Sequence, residues 1–334
     1  MTGVTLSLAD LHDLAVRVLV ANDTGEANAE EVAKALVAAE ADGLKGHGAS
    51  RLPSYAAQAK SGKVQGHAVP DINEVGSAAL WIDANEGFAY PAITAAIDGL
   101  AALAPATGIA AAGIANSHHF GAAGYHVERM AERGLIGLAF GNSPQAIAPW
   151  GGSKGLFGTN PIAFAAPRRE APPLVIDMGL SKVARGNVMV AARAGEPIPE
   201  GWALDADGKP TTDAEAAMDG TMVAMGDAKG TALVMMVEIL AVALTASNFS
   251  YEASSFFTAD GPAPRTGQFL MAIDPYGFSA GAFADRLEDL IAAVREQDGT
   301  RLPGERRLAL RAEAEANGVE IPQDLHDELL ALAG

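Results

Sequence analysis

The chain has 334 residues, 49% of them hydrophobic, with a formal charge of −18 and no cysteine. That length supplies one large or two ordinary domains with ample core, and the lack of thiols excludes a disulfide scaffold, a cysteine nucleophile and cysteine-based metal centres. The acidic balance argues against nucleic-acid or anionic-membrane partners.

Met1 to Asp10 lacks the basic-then-apolar order of a signal peptide, which points to a soluble, cytoplasmic protein. Ser7 as an N-cap opens a helix reaching about Ala21, and a second helix is predicted over Asn28 to Asp42, with Val32, Leu36, Val37 and Ala41 at helical spacing. Lys45-Gly46-His47-Gly48-Ala49-Ser50-Arg51 follows. On a helical turn the spacing of His47 and Arg51 puts an imidazole and a guanidinium on one face, a pairing suited to a small 2-oxo or 2-imino acid. The same segment also fits a solvated helix start with a capping glycine.

Pro53 restarts a helix, and a strand over Ala79 to Asp83 leads into a helix over Pro91 to Leu103. From Gly108 the texture changes to short β-prone runs: Ile109 to Ala115, Ile136 to Phe140, Pro161 to Ala166 and Leu174 to Asp177, with a helix over Ala123 to Arg133 among them. Gly195 to Asp213 reads as a long loop, in which Asp205-Ala206-Asp207-Gly208 lacks the spacing of a calcium loop and is read as a turn. Thr231 to Ser247 is apolar but short for a membrane span and carries Glu238, so a core helix is predicted. A strand over Phe269 to Ile273 and helices over about Ala280 to Arg295 and Pro303 to Asn317 complete the chain.

Polar residues gather at the predicted strand ends. Asn116-Ser117-His118-His119-Phe120-Gly121 precedes a helix, where free N–H groups and the helix dipole favour an anionic ligand. No third ligand stands at a regular offset from the histidines, so no metal site is expected. Gly158-Thr159-Asn160-Pro161 is a turn, Ile176-Asp177-Met178-Gly179 ends a strand, and Ala184-Arg185-Gly186-Asn187 lies close behind. Lys229 in Asp227-Ala228-Lys229-Gly230 stands at a helix entrance, where it opposes the dipole unless an anion binds. Together these suggest one cleft. Neither Gly-x-Gly-x-x-Gly nor a P-loop occurs, so a Rossmann crevice is not predicted.

Gly46-His47-Gly48 with Arg51, Ser117-His118-His119-Phe120-Gly121, Phe140-Gly141-Asn142, Phe157-Gly158-Thr159-Asn160-Pro161, Ala184-Arg185-Gly186, Ile198-Pro199-Glu200-Gly201-Trp202-Ala203 and Lys229-Gly230 occur in this order. The set resembles the malate/L-lactate dehydrogenase-like oxidoreductases, a non-Rossmann NAD(P)-dependent family, from about Leu8 to Arg307. The resemblance implies an α/β fold with a largely antiparallel cofactor-binding sheet domain, residues 116–279. A helical domain from both chain ends, 1–115 with 280–334, would carry the catalytic histidine. It implies hydride transfer between NADP or NAD and C2 of a small 2-oxo acid or 2-hydroxy acid of the malate, lactate or sulfolactate kind. The alternative within the class is reduction of a cyclic imino acid, Δ1-pyrroline-2-carboxylate or Δ1-piperideine-2-carboxylate. A ligand-binding homologue that has lost catalysis is a third reading.

Carried over residue by residue, His47 would be the proton donor and Arg51 the carboxylate grip, with Thr159, Arg185 and Gly186 lining the substrate. His119, Phe120, Gly121, Ala122, Ala123, Asp177, Met178, Gly179, Lys229, Gly230, Pro303, Gly304, Glu305, Arg306 and Arg307 would hold the cofactor. Arg306 or Arg307 would meet a 2′-phosphate. A homodimer with the site near its interface is implied. Many relatives carry Ser where this chain has Gly46, and Asp where it has Asn187, the two acting as a relay to the imidazole. Losing that carboxylate should lower the pKa of His47; His47 is expected still to donate, oriented by Asn187 or water.

Overall fold

The computed structural model describes residues 3–334. Strand β1 (Gly3–Leu6) is followed by helices α1 (Leu8–Ala21) and α2 (Glu26–Ala41). The Ser7 hydroxyl accepts from the Asp10 N–H at 3.0 Å and so caps α1. Two short 3-10 turns, Lys45–His47 and Ala49–Arg51, lead into α3 (Leu52–Lys60). Next come β2 (Asp71–Gly76), β3 (Ala79–Asp83), α4 (Ala89–Thr107), β4 (Ile109–Ser117), α5 (Ala123–Ala131), β5 (Ile136–Gly141), β6 (Ile162–Ala166) and β7 (Leu174–Met178). A smaller lobe holds α6 (Arg185–Ala194), β8 (Ala203–Leu204), β9 (Pro210–Thr211), α7 (Ala214–Asp219) and β10 (Thr221–Met222). The chain returns through α8 (Asp227–Glu238), β11 (Thr266–Ile273), α9 (Pro275–Ser279), α10 (Phe283–Arg295), α11 (Glu305–Asn317), β12 (Val319–Pro322) and α12 (Gln323–Ala333).

The main sheet has seven strands in the order β2-β3-β4-β11-β5-β6-β7. Every neighbouring pair is antiparallel except β3 and β4, which are parallel and joined by α4 as the crossover. Alanine dominates the inward positions, so helices approach closely. Ile93, Ile97 and Leu100 of α4 pack on Ala110, Ala112 and Ile114 of β4. Helix α4 is also long and apolar enough to cross a membrane by composition, and here that apolar face is core.

A second core joins the chain ends. Leu11, Leu14, Val18 and Leu36 pack with Ile321 and Leu329, and β1 pairs with β12. Residues 71–115, expected with this helical unit, instead build strands β2, β3 and most of β4 in the main sheet. Helix α10 is tied to the segment after β6, where Arg168 forms a bidentate pair with Glu288 at 2.8 and 2.7 Å. The reason lies in pairing: β3 and β4 close their ladder only beside β11, a partner far away in sequence. Strand β2 left no apolar alternation to read because its whole length is an exposed edge.

The predicted core helix from Thr231 divides in two. Helix α8 runs into a π-helical turn, Ile239–Ala243, at Glu238. The buried Glu238 carboxylate accepts from Asn160 Nδ2 at 2.6 Å and from the Ser250 N–H at 2.7 Å, which ties the helix to the turn before β6. Asp205 Oδ1 accepts from the N–H groups of Asp207 and Lys209, both at 2.9 Å, an Asx-type turn.

Candidate active site

Antiparallel pairing brings the predicted polar clusters to one edge of the sheet. Thr266 stands opposite Ser117, Gln268 opposite Gly141, and Ile162 opposite Met178. The segments leaving β4, β5 and β7, and those entering β11 and β6, therefore share that edge. They are His118-His119, Asn142-Ser143, Gly179, Arg265 and Thr159-Asn160. Thr159 is within reach of Ser143, their hydroxyls 3.3 Å apart.

The terminal helices bring His47 to the same place. The Glu40 carboxylate, buried at the end of α2, accepts from the Ala49 N–H at 2.9 Å and pins the turn after His47. A Cβ on Gly48 would lie 2.1 Å from Glu40 Oε2, so this close approach demands glycine. A Cβ on Gly46 would meet nothing within 4 Å, so glycine there is not a steric requirement. The chain breaks helical geometry at Gly48 (φ −98°, ψ −140°), and His47 and Arg51 meet across two 3-10 turns rather than on one helical face.

The His47 ring stacks on His119, with centroids 5.3 Å apart and planes 19° apart. His119 Nδ1 lies 2.5 Å from the Tyr55 hydroxyl, which is 3.1 Å from that of Tyr90. Phe256 closes the other side, its centroid 5.1 Å from that of His119. The Arg51 Nε donates to the Gly46 carbonyl at 2.7 Å, and its guanidinium carbon sits 4.4 Å from the Phe257 ring centroid. Burial, and secondarily the Arg51 charge, pull the His47 pKa down to about 4. His118 falls to about 3 by burial, with Lys63 and Arg51 adding to it.

Three nitrogens of the cluster are buried without a partner, His47 Nδ1, His118 Nδ1 and Arg51 Nη1. Buried polar atoms are costly to leave unpaired, and a proton acceptor beside a guanidinium donor suits an oxygen-bearing anion at this edge. Asn187, expected in the relay, makes no hydrogen bond to His47 among the described residues. It lies exposed in the first turn of α6, where its N–H donates to the Ala184 carbonyl at 2.9 Å. Arg185, expected on the substrate, donates from Nη2 to the Met218 carbonyl at 2.7 Å, and neighbouring Gly186 is exposed.

The expected cofactor segments converge beside this cluster. The Asp177 carboxylate accepts from the Gly124 N–H at 2.7 Å, joining the end of β7 to the start of α5. That contact sets Gly121, Ala122 and Ala123 next to Met178 and Gly179, while the Phe120 carbonyl lies 2.7 Å from His126 Nε2. A Cβ on Gly304 would lie 3.2 Å from the Val175 carbonyl, so the Pro303 to Arg307 segment borders the same place. Met225 N donates to the Leu180 carbonyl at 2.9 Å, which brings in the start of α8 with Lys229 and Gly230. A Cβ on Gly230 would fall 1.4 Å from the Met225 carbonyl, so only glycine permits this tight helix start.

Arg307 is not a free cation. With Arg311 it holds the buried carboxylates of Asp42 and Glu128 at 2.7 to 3.0 Å, a network that fastens α11 to α2 and α5. Arg306 and Lys229 are exposed and form no salt bridge among the described residues. Glu305 is engaged with Arg295 at 2.9 Å. Two free cations and an open Gly179, next to which a Cβ would meet nothing within 4 Å, fit an extended phosphate-bearing cofactor.

Gly151-Gly152-Ser153-Lys154-Gly155 has the spacing of a serine-hydrolase nucleophile motif, but it is a surface loop with no strand-to-helix elbow and is read as a loop. Glu40, Tyr55, Gln58, Phe256 and Phe257 belong to the site and were not picked out from the sequence. Arg51, Tyr55 and Gln58 do stand at helical offsets of four and seven, a legible polar stripe on α3. The phenylalanines sit in a loop with no comparable signal.

A polar sheet edge that gathers a neutral imidazole, a guanidinium with a free donor and the segments from β7, α5, α8 and α11 fits an NAD(P)-dependent oxidoreductase of small acids on a non-Rossmann sheet. The family model for malate/L-lactate dehydrogenase matches residues 6–330, and the chain belongs to that family. It is 52% identical over 98% of both chains to (2R)-3-sulfolactate dehydrogenase (NADP(+)) of Chromohalobacter salexigens. The solved Δ1-piperideine-2-carboxylate reductase of Pseudomonas syringae pv. tomato superposes with a TM-score of 0.93 at 41% identity, covering 98% of this chain and 99% of that one. The sulfolactate dehydrogenase of Methanocaldococcus jannaschii gives 0.92 at 27% identity, covering 98% and 96%.

Proposed function

We propose that this enzyme interconverts a small 2-oxo acid and its 2-hydroxy acid with NADP, and that the pair is sulfopyruvate and 3-sulfolactate. The carrying observation is the neutral His47 with an unpartnered Nδ1 beside the unpartnered Nη1 of Arg51. The 52% identity to an NADP-linked sulfolactate dehydrogenase supports the substrate pair. Arg51 grips the carboxylate, which orients C2 toward the cofactor groove, and His47 moves the proton on the C2 oxygen. The nicotinamide, when bound, donates or accepts the hydride. A bound carboxylate also offsets the Arg51 charge that depresses His47, so substrate binding favours the protonated imidazole that reduction needs.

A second reading, reduction of a cyclic imino acid, is favoured by the aromatic wall of Phe256 and Phe257 beside Arg51. Initial rates with NADPH against sulfopyruvate, oxaloacetate, pyruvate and Δ1-pyrroline-2-carboxylate decide between them. Sulfopyruvate is expected to have the highest kcat/KM; a preference for the imine would install the second reading, and no cofactor oxidation with any of them would remove both.

Arg306, the exposed cation of the Pro303 to Arg307 segment, is assigned to the 2′-phosphate. Arg306→Ala is expected to raise KM for NADPH about tenfold with KM for NADH unchanged, the loss of one charge-assisted contact. Equal changes for both cofactors would place the phosphate elsewhere. The protein is further read as a cytoplasmic homodimer. The exposed stripe of Met235, Met236, Ile239 and Leu244 supports the dimer, which light scattering checks.

A further inference from the structure

Lys63 lies just beyond the C-terminal end of α3 and is only 4% exposed, yet it faces no carboxylate within salt-bridge distance among the described residues. Its ammonium instead donates to three backbone carbonyls, those of Ser255 at 2.7 Å, Asp260 at 2.8 Å and Thr258 at 2.9 Å. Gln58 Nε2 adds the Phe256 carbonyl at 2.9 Å, and the Ser61 hydroxyl adds that of Ala259 at 3.2 Å. The loop over residues 255–260 thus turns five of its carbonyls toward the end of one helix. A buried ammonium needs all three of its donors satisfied, and here the loop satisfies them.

That loop carries Phe256, packed on His118 and His119, and Phe257, which lies under the Arg51 guanidinium. Arg51 itself stands at the start of α3. The two ends of a single short helix therefore hold the two halves of one contact: the guanidinium at one end, and at the other the clamp on the aromatic beneath it. Phe257 is 69% exposed even with the clamp in place, so the hold on its loop backbone is what keeps its ring at Arg51.

We propose that Lys63 is a positioning residue for substrate binding: its three-carbonyl clamp holds the Phe256-Phe257 loop so that Phe257 orients Arg51 toward the substrate carboxylate. This rests on Arg51 as the carboxylate grip. A wild-type enzyme that turns over no 2-oxo acid removes that reading, whereas the variants below test the clamp on whichever acid the wild type accepts.

In Lys63→Ala, KM for the 2-oxo acid is expected to rise about tenfold, with kcat and the NADPH Kd within about twofold of wild type. Added n-propylammonium, which restores three N–H donors, is expected to lower KM again, and tetramethylammonium, which has none, is not. Phe257→Ala should raise KM similarly, and the double variant should fall short of the product of the two effects, because both act on one contact. An unchanged KM in folded Lys63→Ala, multiplicative effects in the double variant, or parallel losses of kcat, KM and cofactor affinity would each overturn the proposal. If Lys63→Ala does not fold, Lys63→Gln and Phe257→Ala decide, and an unmoved KM in either overturns it.

Discussion

Replacing His47 by alanine is expected to lower kcat for the 2-oxo acid by about 10²- to 10⁴-fold, the usual contribution of a positioned acid–base group. NADPH affinity should stay near wild type, because Glu40 at the end of α2 pins the turn that carries His47, and no hydrogen bond ties His47 to the β7, α8 and α11 segments among the described residues. The pH profile gives a second reading of the same group. In the oxidative direction the imidazole must be neutral to accept the hydroxyl proton. Burial and Arg51 hold its pKa at about 4, so kcat/KM for the hydroxy acid should stay level from neutrality to about pH 5 and fall below that. In the reductive direction the imidazole must be charged, and a carboxylate on Arg51 weakens one of the two causes of its depression. The pKa seen in kcat for reduction should therefore lie above the one seen in kcat/KM for oxidation. Near-normal reduction by His47→Ala would remove His47 from the proton-transfer role, and an oxidative limb already falling near pH 6.5 would mean that burial and Arg51 do not depress the imidazole in the working enzyme.

Glu128→Ala is expected to be the most destabilising single change, by about 3–5 kcal/mol in urea unfolding, because it leaves Arg307 and Arg311 buried with only Asp42 between them. Burial alone would raise the Glu128 carboxyl pKa, but the hydrogen bonds from Arg307 and Arg311 outweigh it and hold the group below its ordinary value. A carboxyl depressed on folding contributes stability that is complete above its unfolded pKa and is lost as pH falls through the folded one. The wild type should therefore lose this contribution in acid, and Glu128→Ala should show a flatter acid limb. Arg307→Ala should behave as a stability variant too, in contrast to Arg306→Ala. A Glu128→Ala protein as stable as wild type would mean that the network adds no net stability.

The arginine pair shows where reading from sequence stops. Arg306 and Arg307 are adjacent, alike in chemistry and both at a helix entrance, and nothing local separates them. Only the arrival of Asp42 from α2 and Glu128 from α5 makes one a structural tie and leaves the other free. Asn187 is a similar case: the motif order places it in a relay, whereas α6 sets it in an exposed first turn with no bond to His47.

By itself the sequence determined the membership of the family, the runs that become β4 to β7 and β11, and the residue types at the strand ends. These follow from local periodicity and from motifs that keep their order in the chain. The tertiary structure decided which of those ends meet. Antiparallel pairing around β11 gathers segments from Ser117 to Thr266 at one edge, while Glu40, packed close against Gly48 and bonded to the Ala49 N–H, holds His47 and Arg51 in two 3-10 turns. It also decided the company they keep, Tyr55, Phe256 and Phe257, and hence the low pKa of His47. The physical reason is range: hydrophobic period and capping act within a few residues, but burial, charge and close approach at this site are set by elements remote from one another in the chain.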